Sequence, residues 1–313
     1  MTPHTRNSPM QALLSIVICT FNRSDYLRAV LEVLDGERSQ PVQIVVVENS
    51  DDENAVRANQ LLFDAREHVH VIRTSPGSLS IARNAAMEQC TTEFIAYIDD
   101  DSKPVPSWAG HIIESFLNAG PEVAGVGGPI HPIWVHPRPA WLSDQLLGPL
   151  TVLDHGPAPR VLGSTEYIYG ANMAFRTKDL RAVGGFDIPL GRLGNKVLLS
   201  SDEIEVQDRL RARGNTIYYD PRARAGHVVH QDRLSQQWFF RRMVWQAISD
   251  SFRGPMSAEV TRSVSLALEN SAKALNIPGV DAALFAPSDD PRTAEARIDF
   301  VYYLARRLMD PGA

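Results

Sequence analysis

The chain has few cysteines, no surplus of positive charge, no long apolar run and neither of the common glycine-rich phosphate loops. Of its 313 residues only Cys19 and Cys90 are cysteine. Both lie in or beside apolar segments, so buried reduced thiols are expected rather than a disulfide framework, which fits a reducing cytoplasm. Lysine and arginine number 31 against 37 acidic residues, for a net charge of −6. No basic excess points to nucleic acid or to a membrane surface as a partner. No run approaches the length of a membrane-spanning helix, so no transmembrane segment is expected; a peripheral association is left open. The opening "MTPHTRNSPMQ" lacks a charged stretch followed by a long apolar one, so no secretory signal is expected and the location read from sequence is cytoplasmic. No GxGxxG or GxxxxGKS/T follows the first apolar strand, which disfavours a dinucleotide-binding fold and a P-loop nucleotidase.

What is present is an ordinary globular balance, 44% hydrophobic and 22% charged, long enough for one large domain or two smaller ones. "LLSIVICTF" (Leu13–Phe21) reads as a buried strand. A helix follows, with Tyr26, Leu27, Val30, Leu31 and Leu34 as its apolar stripe, Ser24 as its cap and Gly36 at its end. "VQIVVVENS" is a second strand, "ENAVRANQLLFDARE" a helix, and "VHVIRT" a short strand. "SPGSLSIARNAAMEQC" is a turn and a helix with Ser80 as a possible cap, and "EFIAYID" is a fourth strand. This alternation predicts an α/β fold with a mostly parallel central sheet covered by helices. Ligands bind outside the carboxyl ends of such strands. Three of these strands end in polar groups, at Thr20 to Asn22, Glu48 to Ser50 and Asp99 to Asp101, so one polar edge is expected.

The middle of the chain is less regular. "GGPIHPIWVHPRPAWLSDQLLGPL" reads as an irregular binding segment, in which Trp134 and Trp141 either stack on a ligand or belong to the core. "YIYGANMAFR" reads as a strand, "TKDLRAVGGFD" as a short helix, "SSDEIEVQDRLRARG" as an amphipathic helix stopped by Gly214, and "NTIYYDP" as a strand. From Arg233 onward the pattern is helical, with breaks near Gly254–Pro255 and around Pro287–Pro291.

The sharpest feature is "FIAYIDDDSKPVPSW". An apolar strand runs directly into Asp99, Asp100 and Asp101. Like charges this close repel unless something positive sits among them. With no glycine-rich loop to hold a phosphate, an acidic cluster with a divalent cation is the candidate device, since Mg²⁺ or Mn²⁺ bridges carboxylates to phosphates.

"SIVICTFNR", "VVVENSD", "SIARNAA" before "FIAYIDDD", and "GANMAFR…GGFD…SDEIEVQDRLRARG" occur in this order over roughly residues 13 to 245. In that order they resemble the family 2 nucleotide-sugar glycosyltransferases of GT-A fold. The resemblance implies a metal-dependent, inverting transfer of a sugar from a nucleoside diphosphate (UDP, dTDP or GDP) to a hydroxyl of a glycan, lipid-linked or small-molecule acceptor. It implies that the aspartates are the DxD motif, with Asp101 the more direct ligand of Mn²⁺ or Mg²⁺, Asp99 on the metal or the ribose, and Asp100 partly structural. His227 is implied as a further metal or diphosphate contact, with His230 as the alternative. Thr20, Asn22, Arg23 and Glu48 are implied at the base and ribose, where many relatives carry Asp at the position of Glu48. Arg83 is implied at the base or the acidic cluster, and Gly170 and Asn172 at the donor sugar. Glu203 is implied as the general base, with Asp202 the close contender, because the usual Glu-Asp order is reversed here. Acids at a helix start also complement the helix dipole without catalysis. Arg241 and Arg242 either reach a diphosphate or are solvated.

The expected organisation is a glycosyltransferase domain over 11–250, with a nucleotide-binding half (11–128) and an acceptor-binding half (129–250), and a helical extension over 251–313. Two other readings compete. A sugar nucleotidyltransferase would carry glycines and a basic residue after the first strand, where this chain has "CTFNRSD". A nucleotide-sugar-binding module without catalysis would be favoured by loss of the acidic pair, which is present.

Overall fold

The computed structural model describes residues 11–75, 77–188, 199–252 and 288–309. The first half is built as its pattern predicts: β1 (Leu14–Thr20), α1 (Ser24–Leu34), β2 (Val42–Glu48), α2 (Glu53–Asp64), β3 (Val69–Arg73), α3 (Leu79–Gln89) and β4 (Phe94–Asp99). There follow β5 (Ser102–Pro104), α4 (Trp108–Asn118), β6 (Val123–Gly127), β7 (Ile130–Trp134), β8 (Arg160–Val161), β9 (Met173–Arg176), α5 (Thr177–Ala182), α6 (Asp202–Ala212), β10 (Thr216–Tyr219), β11 (Ala225–Val229), α7 (Gln236–Phe252) and α8 (Pro291–Met309).

Eight strands form one sheet in the order β3-β2-β1-β4-β9-β6-β10-β8. Strands β1 to β4 are mutually parallel, whereas β9 runs antiparallel to both β4 and β6. A second sheet, β5-β11-β7, stands beside it. Because strand side chains alternate between faces, β1 sends Leu14, Ile16 and Ile18 to one core with α1 and α4, and Val17 to another with α3 and α6. Burial on both faces explains why these strands read as unbroken apolar runs. A third cluster joins α7 and α8 through Phe239, Phe240, Met243, Ala294 and Ile298, with Trp141 and Leu142 against them.

Several local expectations are corrected. The strand read in "YIYGANMAFR" begins only at Met173, because the preceding residues turn back, with Asn172 N donating to Tyr169 O at 2.9 Å. The proline-rich middle is less irregular than its composition suggests: it contains β7 and a 3-10 turn over Asp144–Leu150. Pro132 is tolerated because β7 is an edge strand of its sheet: β11 pairs along one side, and a single bridge from Ile130 to Leu153 lies outside that pairing. Ser24 is the first residue of α1 rather than its cap, and its hydroxyl donates to Ala55 O. Ser78, not Ser80, caps α3, accepting from Ile81 N. Trp141 is a core residue, 8% exposed and edge-on to Phe239. Gly254–Pro255 and Pro287 lie outside the described residues. No helix among the described residues is long and apolar enough to cross a membrane.

Candidate active site

Parallel pairing brings the polar strand ends together. Thr20 stands opposite Glu48, and Cys19 opposite Asp99. Asp100 and Asp101 then turn inward and are 4% and 3% exposed. Their positive partner is Arg23, from the turn after β1. Its Nη1 donates to Asp100 Oδ1 at 2.8 Å and its Nη2 to Asp101 Oδ2 at 2.6 Å. The guanidinium also lies over the Tyr26 ring, 4.7 Å from its centre. Thr20 Oγ1 donates to the other oxygen of Asp100 at 3.0 Å. A second arginine, Arg83 of α3, is 3% exposed and sits 3.8 Å from Asp99.

On the far side of Asp101 are two histidines, carried by β11 and the residue following it. His227 Nε2 and His230 Nε2 each lie 3.4 Å from an Asp101 oxygen. These surroundings split the aspartates. Burial pushes Asp100 upward, the charges of Asp101 and Asp99 add to that effect, and together they outweigh Arg23, raising it to about 7. Burial also opposes ionisation of Asp101, but hydrogen bonds from both histidines and the Arg23 charge hold it well below the ordinary carboxylate range. Burial raises the neighbouring Cys19 thiol to about 12, which makes it an unreactive wall of the site.

Oxygens of Asp99 and Asp101 and a ring nitrogen of His227 all lie within 4.8 Å of one another. Two carboxylates and an imidazole suit Mn²⁺ or Mg²⁺. Among the described residues His227 Nδ1 is buried with no hydrogen-bond partner. The residues present therefore fit a divalent cation. They open into a cleft of about 440 Å³, also lined by Asn22, Asn49, Gly77, Thr151, Arg233 and Trp238, a size suited to a small polar ligand.

The second acidic centre is the start of α6. Arg83 Nη1 and Ser80 Oγ both donate to Asp202 Oδ2 at 2.9 Å. One arginine thus links Asp99 to Asp202. Asp202 is 4% exposed, whereas Glu203 beside it is only partly buried. Desolvation and then the Asp202 charge outweigh Arg83 and push Glu203 up to about 7. A carboxylate with this affinity for protons can accept one near neutral pH.

The remaining sequence-derived residues divide into two groups. Asn22, in the left-handed region at φ 57, clamps the loop after β2: its Oδ1 accepts from the amides of Asp51 and Asp52. Glu48 is buried, accepts from Ser50 N at 2.9 Å and is bound by Asn59, so its carboxylate is turned into the protein. Asn172 is fully buried. Trp108 Nε1 donates to its Oδ1 at 2.8 Å, and its Nδ2 donates to Pro129 O and Ala223 O. The sugar contact implied for Asn172 is therefore not offered in this structure; its amide locks β9 to the neighbouring turns. Gly170 packs on Arg83, and a Cβ built there would lie 2.3 Å from Nη2. Gly170→Ala is expected to push Arg83 off Asp202 and cost about 1–3 kcal/mol of stability, with turnover reduced more strongly than nucleotide affinity. Thermal melts and initial rates check this. Arg242 turns away from the cleft onto Ser200 and Gln246.

Sequence reading missed Asn49, Thr151 and Arg233 as lining residues, and it took Ser80 for a cap. Thr151 carried no signal because its role depends on a left-handed turn at φ 69. Asn49 follows directly on a strand end already marked as polar, and that position was the available signal.

The family model described as "Glycosyl transferase family 2" matches residues 15–181, more than half of the chain. The chain belongs to this glycosyltransferase family. It is similar to the glucosyl-dolichyl phosphate glucuronosyltransferase of Haloferax volcanii, at 26% identity over 75% of this chain and 75% of that one. It is also similar to the succinoglycan biosynthesis protein ExoM of Rhizobium meliloti, at 24% identity over 73% and 71%. Among solved structures, a mannosyltransferase from Pyrobaculum calidifontis in complex with GDP-Man and Mn²⁺ shares the fold. Its TM-score is 0.61 at 15% identity, covering 97% of this chain and 89% of that one. GalNAc-T7 with UDP, GalNAc and Mn²⁺ matches with a TM-score of 0.57 at 14% identity, covering 94% and 56%. The fold is that of the GT-A glycosyltransferases.

Proposed function

We propose that the protein is a divalent-metal-dependent inverting glycosyltransferase that moves a sugar from a nucleoside-diphosphate sugar to a hydroxyl acceptor. The observation that supports this most is the linkage of two acidic centres through Arg83, one fit for a cation and the other poised near neutrality. Asp99, Asp101 and His227 would hold the cation, Mn²⁺ or Mg²⁺. When bound, it would stabilise the charge that grows on the leaving diphosphate. Thr20, Asn22 and Arg23 line the nucleotide end, with Glu48 supporting the loop after β2. Arg83 holds Asp202 in place through its 2.9 Å bond to Oδ2. Glu203 takes the proton from the acceptor hydroxyl as it attacks the anomeric carbon, and attack from the face opposite the leaving group inverts the centre.

Residues 11–128 form the nucleotide half and 129–250 the acceptor half, with 251–313 as a helical extension. The donor is a UDP-, dTDP- or GDP-sugar. The acceptor is a glycan, a lipid-linked sugar or a small molecule. The names of the two relatives support the lipid-linked and polysaccharide options, and the first of these would bring the protein to a membrane face from the cytoplasm.

Calorimetry with UDP, dTDP, GDP and ADP, each with and without Mn²⁺, tests the reading. One nucleoside diphosphate is expected to bind at least tenfold tighter with the metal. Binding indifferent to metal for all four would remove the aspartates from the donor site.

A further inference from the structure

The two acids at the start of α6 follow a residue in an unfavourable conformation. Ser201 has φ 75 and is 1% exposed. A non-glycine residue in this region costs about 1–3 kcal/mol, and such conformations persist only where the surroundings impose them. No side-chain cap holds the helix start. The constraint comes instead from α7. Gln246 Nε2 donates to Ser201 Oγ at 3.0 Å, and Gln246 Oε1 accepts from Ser200 Oγ at 3.1 Å. Ser200 N donates to Ser249 Oγ at 3.0 Å, and Arg242 Nη2 donates to both Ser200 Oγ and Gln246 Oε1.

The chain of bonds continues outward. Gln246 Nε2 also donates to Asp250 Oδ1 at 2.9 Å, and Tyr302 of α8 donates its hydroxyl to Asp250 Oδ2 at 2.8 Å. Inward, Ser201 O accepts from Glu205 N at 3.0 Å, which closes the first turn carrying Asp202 and Glu203. Every link lies beyond the segment matched by the family model, which ends at residue 181. None of these side chains lines the cleft.

We propose that Gln246 is a positioning residue: it straps Ser200 and Ser201 in place, so aiming the acids at the start of α6, and α8 braces it through Tyr302 and Asp250. This assignment rests on the glycosyl-transfer reading for its catalytic consequence but not for the strap itself. A glutamine suits the task because its amide supplies an acceptor to one serine and a donor to the next. The C-terminal helices thereby become part of the catalytic unit.

The test uses full-length Gln246→Ala and, as a variant that removes a single hydroxyl, Tyr302→Phe. Hydrogen exchange is followed by mass spectrometry on the Mn²⁺-loaded protein. Transfer to water is measured with a panel of UDP-, dTDP- and GDP-hexoses. Gln246→Ala is expected to speed exchange in peptides covering 199–206 while the β1–β4 peptides stay protected. It is also expected to lower kcat about tenfold with nucleoside-diphosphate affinity within twofold of wild type. Tyr302→Phe should move both readouts the same way by less. Adding Ser201→Gly to Gln246→Ala should restore part of kcat, because glycine adopts φ 75 without a strap; Ser201→Ala should not. Unchanged exchange over 199–206 in Gln246→Ala overturns the proposal whatever the turnover. Local loosening with full kcat overturns the positioning role. If the wild type transfers sugar from no donor, the glycosyl-transfer reading falls, and with it the catalytic consequence, while exchange alone decides the strap.

Discussion

Glu203→Gln is expected to lower turnover by about 10²–10⁴-fold and, at the same time, to make the protein more stable above pH 7. Both effects have one cause. Burial and the Asp202 charge raise the folded-state pKa of Glu203 from about 4.5 to about 7. The unfolded chain ionises this carboxyl freely, so folding carries a penalty that is absent below about pH 4.5. The penalty grows as pH rises and is complete above about 7. Allowing for partial solvent screening, it amounts to about 1–3 kcal/mol. Glutamine is not subject to it. Chemical denaturation of both proteins at pH 6 and pH 8 checks the stability half, and equal pH dependence in the two would sink it. In the wild type, kcat/KM should fall about tenfold per unit below pH 7 as the base is protonated, and Glu203→Gln should lose that limb. Should Glu203→Gln turn over normally, Asp202 inherits the role of base.

Asp101→Asn is expected to have the largest effect on ligand binding. Among the described residues Asp101 is the one aspartate contacted by Arg23, His227 and His230 together, and it also belongs to the group fit for a cation. Its loss removes an anionic ligand and leaves Arg23 facing a neutral group on that side. Mn²⁺ affinity should drop at least about 10²-fold, and metal-dependent nucleotide binding should vanish with it. Removing one charge from this part-buried pair should also cost about 1–3 kcal/mol in the metal-free protein. Asp100→Asn should be milder on the metal, because Asp100 lies outside that group and is tied to Thr20 and Arg23 instead. Mn²⁺ titration followed by electron paramagnetic resonance separates the two variants. Equal loss in both would mean that the cluster acts only through its total charge.

Much of this arrangement was readable from residue order. The strands β1, β2 and β4 are buried on both faces, so they announce themselves as apolar runs, and parallel pairing makes their polar ends converge by geometry alone. The aspartates, Arg83 and the acidic pair of α6 followed from that edge together with the family motifs. What sequence did not disclose depends on side-chain direction or on residues distant along the chain. Asn172 sits in a motif, yet its amide points into the core toward Trp108, 64 residues away. Glu48 marks a strand end, yet Asn59, about two turns into α2, draws it inward. The hold of α7 on Ser201 spans 45 residues and leaves no periodic trace, since one glutamine on a helix looks like any other.

Strand β9 has a further consequence, for how such a protein can change over generations. It enters the sheet beside β4 but runs the opposite way, so the residues before β9 reach the same edge as the residues after β4. The chain between β7 and β9, residues 135 to 172, therefore leaves the site region and returns to it, with β8 paired only at the far margin of the sheet. Its exposed stretches, 135–138 and 157–159, can exchange side chains without shifting the aspartates or α6, whereas Ile168, bonded to Gln207 of α6, and Gly170, packed on Arg83, are held. Selection can rewrite those exposed stretches while the strand ends that gather the aspartates are inherited intact.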